Sequence, residues 1–285
     1  MKNTAILRVL CPDRKGIVAA LADFLLRHGG NIVHASQHED RPTGLFLMRV
    51  EWDLTGFAAP DEPAFRAAFA PLADTFAMRW TLNFSDSPPR VAVFVSRYDH
   101  CLADLLYRHR AGELPCEIAA IISNHEDAAP LAAFYNAPFQ HIPVPKNDKV
   151  GAEARQRAAI ADCRADLVVL ARYMQILSPE FVAAYRERII NIHHSFLPAF
   201  IGAKPYHQAF ERGVKRIGAT AHYVTEVLDD GPIIEQDVIR ITHRDSVDDL
   251  VQKGRDVEKA VLSRAVRWHC EHKILVSGNK TFVFD

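Results

Sequence analysis

The sequence predicts an α/β protein of two units: a ferredoxin-like βαββαβ unit, then a doubly wound, mainly parallel α/β unit. Residues 1–84 alternate strand and helix patterns in the βαββαβ order. The segment Ser85 to Pro89 reads S-D-S-P-P and breaks both periodicities, which is typical of a linker. From Arg90 onward, strand patterns alternate with helix patterns. We therefore predict domains at residues 1–84 and 90–285, joined by a linker at 85–89.

The elements of the first unit follow from the spacing of apolar residues. Ala5 to Leu10 has a strand pattern, and Gly16 to His28 carries the apolar stripe of an amphipathic helix. Gly29 and Gly30 end that helix. The later elements are strands over Asn31 to Gln37 and Leu45 to Trp52, a helix over Pro63 to Leu72, and a strand over Ala77 to Leu82. This order predicts a four-stranded antiparallel sheet with helices on one face.

The second unit contains short apolar runs that are typical of buried strands. The runs are Val91 to Ser96, Cys116 to Ser123, Leu167 to Ala171, Ile189 to Ile192 and Ile217 to Val224. Helix patterns cover Cys101 to Arg110, Ala128 to Tyr135, Ala152 to Cys163 and the long stretch Ser246 to His269. Ser246 and Asp249 have the spacing of a capping box.

Composition excludes several classes of protein. The 34 Lys and Arg balance 35 Asp and Glu, so no net field attracts nucleic acid or an anionic membrane. No apolar run approaches the roughly 18 to 20 residues of a membrane span, and no signal-peptide pattern follows Met1, so we expect a cytoplasmic protein. The five cysteines include no C-x-x-C pair and the 14 histidines no H-E-x-x-H motif, which indicates reduced thiols and no metal site.

The first βα turn of the second unit contains no glycine between Phe94 and Arg110. A phosphate or dinucleotide cradle needs such glycines, so nucleotide chemistry is disfavoured. A thiol nucleophile in the run Asp99 to Cys101 is also disfavoured, because adjacent side chains diverge. Ser195 lacks the G-x-S-x-G elbow of a serine hydrolase.

Three polar residues near the later strands have the chemistry for reaction at a formyl carbon. The amide of Asn191 and a protonated His193 can stabilise an oxyanion, and the carboxylate of Asp229 can favour the imidazolium or accept a proton from water. Each also has a simpler interpretation, as a strand-end amide, a core histidine and the first residue of the turn before Gly231 and Pro232. Their combination favours a single catalytic site.

The words P-D-R-K-G-I-V (Pro12 to Val18) and G-G-N-I (Gly29 to Ile32) resemble those of ACT domains. That resemblance implies a homo-oligomer that binds a small amino acid such as glycine or methionine where two copies meet. The implied effector-binding residues are Asp13, Gly16, Asn31 and Ile32. In the alternative interpretation, Asp13 and Gly16 shape a turn and cap a helix.

The words N-I-H, S-F-L-P, G-A-T-A-H-Y-V and L-D-D-G-P-I-I resemble the folate-dependent formyltransferase fold across nearly all of residues 90–285. Together with the ACT words, S-R-Y-D-H-C-L and I-S-N-H (Ile122 to His125) resemble the formyltetrahydrofolate deformylase family. The resemblance implies hydrolysis of 10-formyltetrahydrofolate to formate and tetrahydrofolate, with water as nucleophile. It also implies no permanently bound cofactor, no metal or nucleotide, and a place in one-carbon metabolism and purine biosynthesis.

Carried over residue by residue, the catalytic Asn, His and Asp of the family fall on Asn191, His193 and Asp229. Asp230 follows directly, and the choice between the two aspartates stays open. The implied substrate-binding residues are Met174, Gln175, Ile176, Leu177, His194, Ser195 and Asp230. We assign His207 and His222 structural roles.

Two alternatives stay open. One is formyl transfer to an amine, either glycinamide ribonucleotide or an aminoacyl-tRNA. The missing phosphate loop argues against the first acceptor, and the net charge of -1 against the second. The other alternative is an inactive, amino-acid-sensing regulatory protein, which would have lost one of Asn191, His193 and Asp229. All three residues are present.

Overall fold

A computed structural model describes residues 3–199 and 205–285, which form two compact units. The first unit extends to Pro88 and includes the C-terminal segments His272–Leu275 and Phe282–Asp285. The second unit runs from Pro89 to Glu271 and includes Val276–Thr281. The sequence assigned all of residues 90–285 to the second domain. The segments of the first unit that follow the long helix are only four residues each, which is too short for an apolar pattern that would assign them to a unit.

The first unit has the predicted ferredoxin-like topology. Its elements are β1 (Thr4–Pro12), α1 (Ile17–Arg27), β2 (Asn31–Asp40), β3 (Leu45–Asp53), α2 (Glu62–Thr75) and β4 (Arg79–Phe84). The strands form one antiparallel sheet in the order β2-β3-β1-β4. The βαββαβ prediction is therefore confirmed, with each element within a few residues of its expected position.

An aromatic cluster forms the core of the first unit. Trp52 and Phe65 stack with ring centroids 5.5 Å apart, and Phe65 and Phe69 at 5.2 Å. All three side chains are almost completely buried, so each contributes a large apolar area to folding. Helix α2 begins where the Asp61 carboxylate accepts a hydrogen bond from the Ala64 amide at 2.9 Å.

The second unit contains the larger sheet and most of the helices. Its strands are β5 (Arg90–Val95), β6 (Glu117–Ser123), β7 (Phe139–His141), β8 (Leu167–Ala171), β9 (Ile189–His193), β10 (Arg216–Tyr223) and β11 (Ile233–Arg240). Its helices are α3 (His100–Arg110), α4 (Ala129–Phe134), α5 (Lys149–Asp162), α6 (Pro179–Ala184), α7 (Pro205–Arg212) and α8 (Val247–Cys270). The residues of the short C-terminal strands β12 (Ile274–Ser277) and β13 (Lys280–Val283) are divided between the two units.

The central strands of the larger sheet run β11-β10-β9-β8-β5-β6-β7. Strands β9, β8, β5, β6 and β7 are parallel neighbours, and β10 is antiparallel to both β9 and β11. Because parallel strands end at the same edge, the residues that follow β5, β6, β8 and β9 lie close together. This edge carries the candidate site. The prediction of a mainly parallel, doubly wound sheet is confirmed.

Helix α8 packs along β9, β10 and β11 and begins with the predicted capping box. The Ser246 hydroxyl accepts a hydrogen bond from the Asp249 amide, and the Asp249 carboxylate accepts one from the Ser246 amide. Gly254 lets Tyr206 lie against this helix, since a β-carbon at Gly254 would be 2.1 Å from the Tyr206 hydroxyl oxygen. Across the two described ranges, no helix combines the length and apolarity that crossing a membrane requires.

Candidate active site

Strands β9 and β10 bring the polar side chains of Asn191, His193 and His222 together. Asn191 and His193 are two residues apart on β9, so they share one face of the sheet. In the antiparallel pairing, His222 of β10 lies opposite Asn191, and Thr220 lies opposite His193. Asp229 lies in the loop that joins β10 to β11. The sequence signal for Asn191 and His193 was their position at the end of an apolar run.

His193 and Asp229 form a buried pair. The Nδ1 atom of His193 lies 3.3 Å from Oδ1 of Asp229, and both side chains are less than one-tenth exposed. Because a carboxylate only accepts, Nδ1 carries the proton that faces it. The Nε2 atom of His193 is buried and has no hydrogen-bond partner within the described ranges. Nε2 is thus the ring nitrogen that the described residues leave unbonded.

His222 orients the amide of Asn191. Its Nδ1 lies 2.9 Å from the Tyr223 carbonyl oxygen, so Nδ1 must donate. In the neutral ring Nε2 then accepts, and Nδ2 of Asn191 lies 3.2 Å away as its donor. Burial lowers the pKa of His222, which keeps the ring neutral. From the sequence we assigned His222 a mostly structural role, although its place at the end of the apolar run of β10 was the same signal that selected His193.

The loop that carries Asp229 is tightly packed. Asp229 has φ of 56°, a left-handed conformation that a residue other than glycine seldom adopts. A β-carbon at Gly231 would lie 1.7 Å from the Tyr223 carbonyl oxygen, so only glycine fits there. Burial alone would raise the pKa of Asp229, but the hydrogen bond from His193 and the nearby histidines outweigh it and lower the pKa. Asp229 is therefore an anion at neutral pH.

These side chains line a cavity of about 370 Å³. Five of the predicted substrate-binding residues also line it: Met174, Gln175, Ile176, Leu177 and His194. The S-R-Y-D-H-C-L and I-S-N-H motifs hold the cavity segment that begins at Met174. Ser96 of the first motif accepts a hydrogen bond from the Met174 amide at 3.0 Å and donates one to Asn124 of the second motif at 2.8 Å. The remaining lining residues are Leu170, Arg172, Tyr173, Val182, Asn191, Ile192, His193, His222, Val224, Thr225, Glu226, Leu228 and Asp229.

Two predicted substrate-binding residues lie away from this cavity. The Ser195 hydroxyl is directed to the Ala199 carbonyl, to which it donates a hydrogen bond at 2.7 Å, and Ser195 lines a separate cavity of about 200 Å³. Asp230 is exposed and is not among the lining residues. Consecutive residues in this turn point in different directions, so Asp229 approaches His193 and Asp230 does not.

A buried ionic cluster lies at the same edge of the sheet. The Glu258 carboxylate accepts hydrogen bonds from His100 Nε2 at 2.8 Å and from the Tyr206 hydroxyl, and lies 3.4 Å from Arg172 Nε. Donor atoms of His100, Cys101 and Glu258 lie within 4.8 Å of one another. They fit a metal ion poorly, because Glu258 is already engaged and burial raises the pKa of Cys101 well above its ordinary value, so the thiol stays protonated.

The predicted effector-binding residues lie at the start of α1 and β2 in the first unit. Gly16 is the N-cap residue of α1, with φ of 95° and no side chain to cap that helix. The Asp13 amide donates to the Gly44 carbonyl at 2.8 Å. Asn31 and Ile32 begin β2 and are exposed. The backbone at Gly16 is therefore open to solvent and free of side chains.

Comparison with known proteins matches both units. The formyl transferase family profile matches residues 89–266, and the ACT domain profile matches residues 5–68. A formyltetrahydrofolate deformylase from Synechocystis is 54% identical over 285 residues, all of both chains. The enzyme of that name from Bacillus subtilis is 49% identical, over 98% of this chain and 93% of its own.

Solved structures show the same relationship. The crystal structure of a formyltetrahydrofolate deformylase from Pseudomonas syringae superposes with a TM-score of 0.97 at 51% identity, covering 100% of this chain and 95% of that one. A glycinamide ribonucleotide transformylase from Symbiobacterium toebii covers 72% of this chain and 98% of its own, with a TM-score of 0.67 at 30% identity. Both resemblances found in the sequence are thus confirmed.

Proposed function

The chain belongs to the formyltetrahydrofolate deformylase family and hydrolyses 10-formyltetrahydrofolate to formate and tetrahydrofolate; we propose that Asn191, His193 and Asp229 carry out this reaction. The observation that supports the assignment is the contact between His193 Nδ1 and Asp229 Oδ1, 3.3 Å apart at the wall of a 370 Å³ cavity. The contact leaves His193 Nε2 without a hydrogen-bond partner among the described residues.

The substrate binds with its pterin against the wall formed by residues 174–177. Met174 is 51% and Ile176 62% exposed, which gives the flat ring an apolar surface. Gln175 and the backbone groups of this segment supply hydrogen-bonding partners for the ring. No metal or nucleotide takes part, and 10-formyltetrahydrofolate is the substrate of the site.

Water attacks the formyl carbon while neutral His193 accepts one water proton at Nε2. The carbonyl oxygen becomes an oxyanion, which the free N–H of Asn191 and the new imidazolium of His193 stabilise. Asp229 stabilises that imidazolium through Nδ1. The imidazolium then donates its proton to N10 as the bond between N10 and the carbon breaks, and formic acid loses its own proton to solvent.

The test is incubation of purified protein with 10-formyltetrahydrofolate and no amine. We expect formate and tetrahydrofolate in equal amounts, and a loss of activity in His193→Ala. The matched control is His207→Ala, which removes an exposed histidine on α7. An active His193→Ala enzyme, or turnover that requires an added amine, would contradict the proposed mechanism.

The first unit binds a small amino acid, glycine or methionine, at Asp13, Gly16, Asn31 and Ile32. The open backbone at Gly16 and the unpaired N–H groups at the start of α1 favour a carboxylate there. Calorimetric titration with each amino acid tests this role, with Asn31→Ala as the variant that weakens binding. If neither ligand releases or absorbs heat in the wild type, the effector proposal fails.

A second copy of the chain pairs with the first unit through β2. This strand is at the edge of its sheet, and Ile32 and Val33 are 38% and 42% exposed on it. An exposed edge strand with apolar residues favours pairing with another chain. Sedimentation of wild type and Val33→Lys tests the homo-oligomer.

The partners do not include nucleic acid or membrane, and five unpaired thiols support a cytoplasmic location.

A further inference from the structure

Arg172 is a buried cation in the wall of the active-site cavity. It directly follows β8, and its φ of 61° places it in the left-handed region. Its side chain is only 10% exposed, yet it lines the same cavity as Asn191 and His193. The register Leu170↔Asn191 between β8 and β9 puts the two strand ends side by side. Residues in strained backbone conformations concentrate at functional sites.

The guanidinium of Arg172 has donors that the protein does not use. Its Nε and Nη1 atoms are buried and make no hydrogen bond within residues 3–199 and 205–285. Buried donors without an acceptor are costly, and those of a charged group especially so. A ligand that supplies acceptor oxygens would satisfy them.

Glu258 offsets the charge of Arg172 without engaging these donors. The ion pair measures 3.4 Å from Nε to Oε2 and does not meet hydrogen-bond geometry. Both carboxylate oxygens of Glu258 are instead bonded, one to His100 and one to Tyr206. The Arg172 guanidinium also lies 5.4 Å from the centre of the Tyr98 ring. The cation is thus held in place while its Nε and Nη1 atoms have no hydrogen-bond acceptor among the described residues.

We propose that Arg172 binds the carboxylate of formate, on the side of the formyl carbon where water attacks. This proposal rests on the active site assigned above. In the reaction the water oxygen forms a bond to carbon, the carbon–N10 bond breaks, and the water oxygen becomes the second oxygen of formate. A guanidinium matches the two oxygens of a carboxylate with parallel N–H donors.

The same charge favours water over an amine as nucleophile. An attacking water leads to a product with negative charge beside Arg172, whereas an attacking amine acquires positive charge at nitrogen. A fixed buried cation stabilises the first and destabilises the second. Arg172 therefore acts as a specificity-determining residue for hydrolysis.

The folate substrate has a second source of carboxylate, its glutamyl tail. Formate is favoured because Arg172 is nine-tenths buried, while the larger tail requires an open route to solvent. A formylated pteroate that lacks the glutamyl group separates the two sources. If the tail binds Arg172, wild-type enzyme should bind the formylated pteroate more weakly than the full substrate. Arg172→Gln and wild type should then have the same affinity for the formylated pteroate.

The first experiment uses wild-type enzyme and compares product inhibition by formate with inhibition by formamide. Formamide has the shape of formate without its charge. If the site binds a carboxylate, the inhibition constant for formate should be at least about tenfold lower than that for formamide, because a charge-assisted hydrogen bond contributes that factor in affinity. Equal inhibition by the two molecules, or none by formate, overturns the proposal.

The second experiment compares Arg172→Gln and Arg172→Lys with Arg255→Gln. Arg255 is the matched control, because it also stacks on Tyr98, at 5.6 Å, but does not line the cavity. We expect the formate inhibition constant to rise about tenfold or more in Arg172→Gln, to rise less in Arg172→Lys, and to stay unchanged in Arg255→Gln. With hydroxylamine present, Arg172→Gln should divert more formyl groups to the amine.

The two proposals fail in different ways. An unchanged formate constant in Arg172→Gln overturns the formate site and leaves the catalytic assignment intact. Full activity of Asn191→Ala and His193→Ala instead shows that the reaction occurs elsewhere. If Arg172→Gln does not fold, the formate inhibition constant of Arg172→Lys, compared with that of Arg255→Gln, decides the proposal.

Discussion

His193 Nδ1 and Asp229 Oδ1 lie 3.3 Å apart, although one residue ends β9 and the other lies in the loop after β10. The contact engages Nδ1 and leaves Nε2 without a hydrogen-bond partner among the described residues. The same oxygen of Asp229 lies 3.8 Å from His222 Nε2, which accepts a hydrogen bond from Asn191. One anion and one neutral imidazole thus determine how the two proposed oxyanion donors are oriented.

Asn191→Ala removes one proposed oxyanion donor. We expect turnover to fall by about 10² to 10³, with the affinity for tetrahydrofolate and the unfolding midpoint close to wild type. Steady-state kinetics and urea unfolding measure both. Gln175→Ala deletes an amide from the binding wall of the same cavity and should raise KM more than it lowers kcat. A similar loss of kcat in both variants would count against the oxyanion role of Asn191.

Asp229→Asn keeps the shape of the side chain and removes its charge. We expect turnover to fall by about 10² to 10⁴ and its pH profile to change, because the imidazolium of His193 loses its counter-ion. The pKa of Asp229 is lowered in the folded state, so its charge stabilises the protein above the ordinary value of 3.8, and that contribution is lost as pH falls through the lowered pKa. Unfolding of Asp229→Asn should therefore depend less steeply on pH below about 4. An unchanged activity profile would argue against coupling to His193.

His222 is a positioning residue for Asn191 rather than a contact of the reacting atoms. His222→Phe removes the acceptor that holds Nδ2 of Asn191, so kcat should fall about tenfold or more while KM changes little. His222→Gln offers a side-chain oxygen as a replacement acceptor and should recover part of the rate. If the two variants are equally impaired in kcat, His222 contributes packing alone.

The sequence predicted the elements whose apolar residues recur with a clear strand or helix period. It predicted the site residues that lie directly at the ends of such elements. Apolar runs located the central strands, and Asn191 and His193 were found because they end one of them. Arg172 also follows such a run but lies two residues before the predicted substrate-binding segment Met174 to Leu177. Its ion pair with Glu258 on α8 joins residues far apart in sequence. Ser195 and Asp230 were predicted from the family resemblance, which does not show the direction of a side chain. Asp230 lies next to Asp229, and neighbouring side chains diverge. Short strands such as β7 and β13 have too few residues to show a period.

Acid should destabilise the protein through its buried neutral histidines. Burial, assisted by the charge of Arg172, lowers the pKa of His194 from 6.5 to about 3. Between these values the unfolded chain binds a proton that the folded chain does not, so stability decreases as pH falls below 6.5. Between about pH 7.5 and 5.5, His194 accounts for about 1.4 kcal/mol of lost stability. In urea unfolding, His194→Asn should lose less free energy of unfolding over this pH range than wild type, by that amount. His207→Asn, at an exposed site, should lose as much as wild type.

Gly231 is the position where a single methyl group should disrupt the site. A β-carbon there would lie 1.7 Å from the Tyr223 carbonyl oxygen, which also accepts the hydrogen bond from His222 Nδ1. Gly231→Ala must therefore displace the turn that carries Asp229, and we expect a loss of stability above about 3 kcal/mol together with most activity. Gly213→Ala is the control, because Gly213 has φ of 67° and no neighbour within 4 Å of a new β-carbon. Its conformational strain should cost only about 1 to 2 kcal/mol. Equal unfolding midpoints in the two variants would show that the Asp229 loop tolerates the extra atom and is not held by close packing against Tyr223.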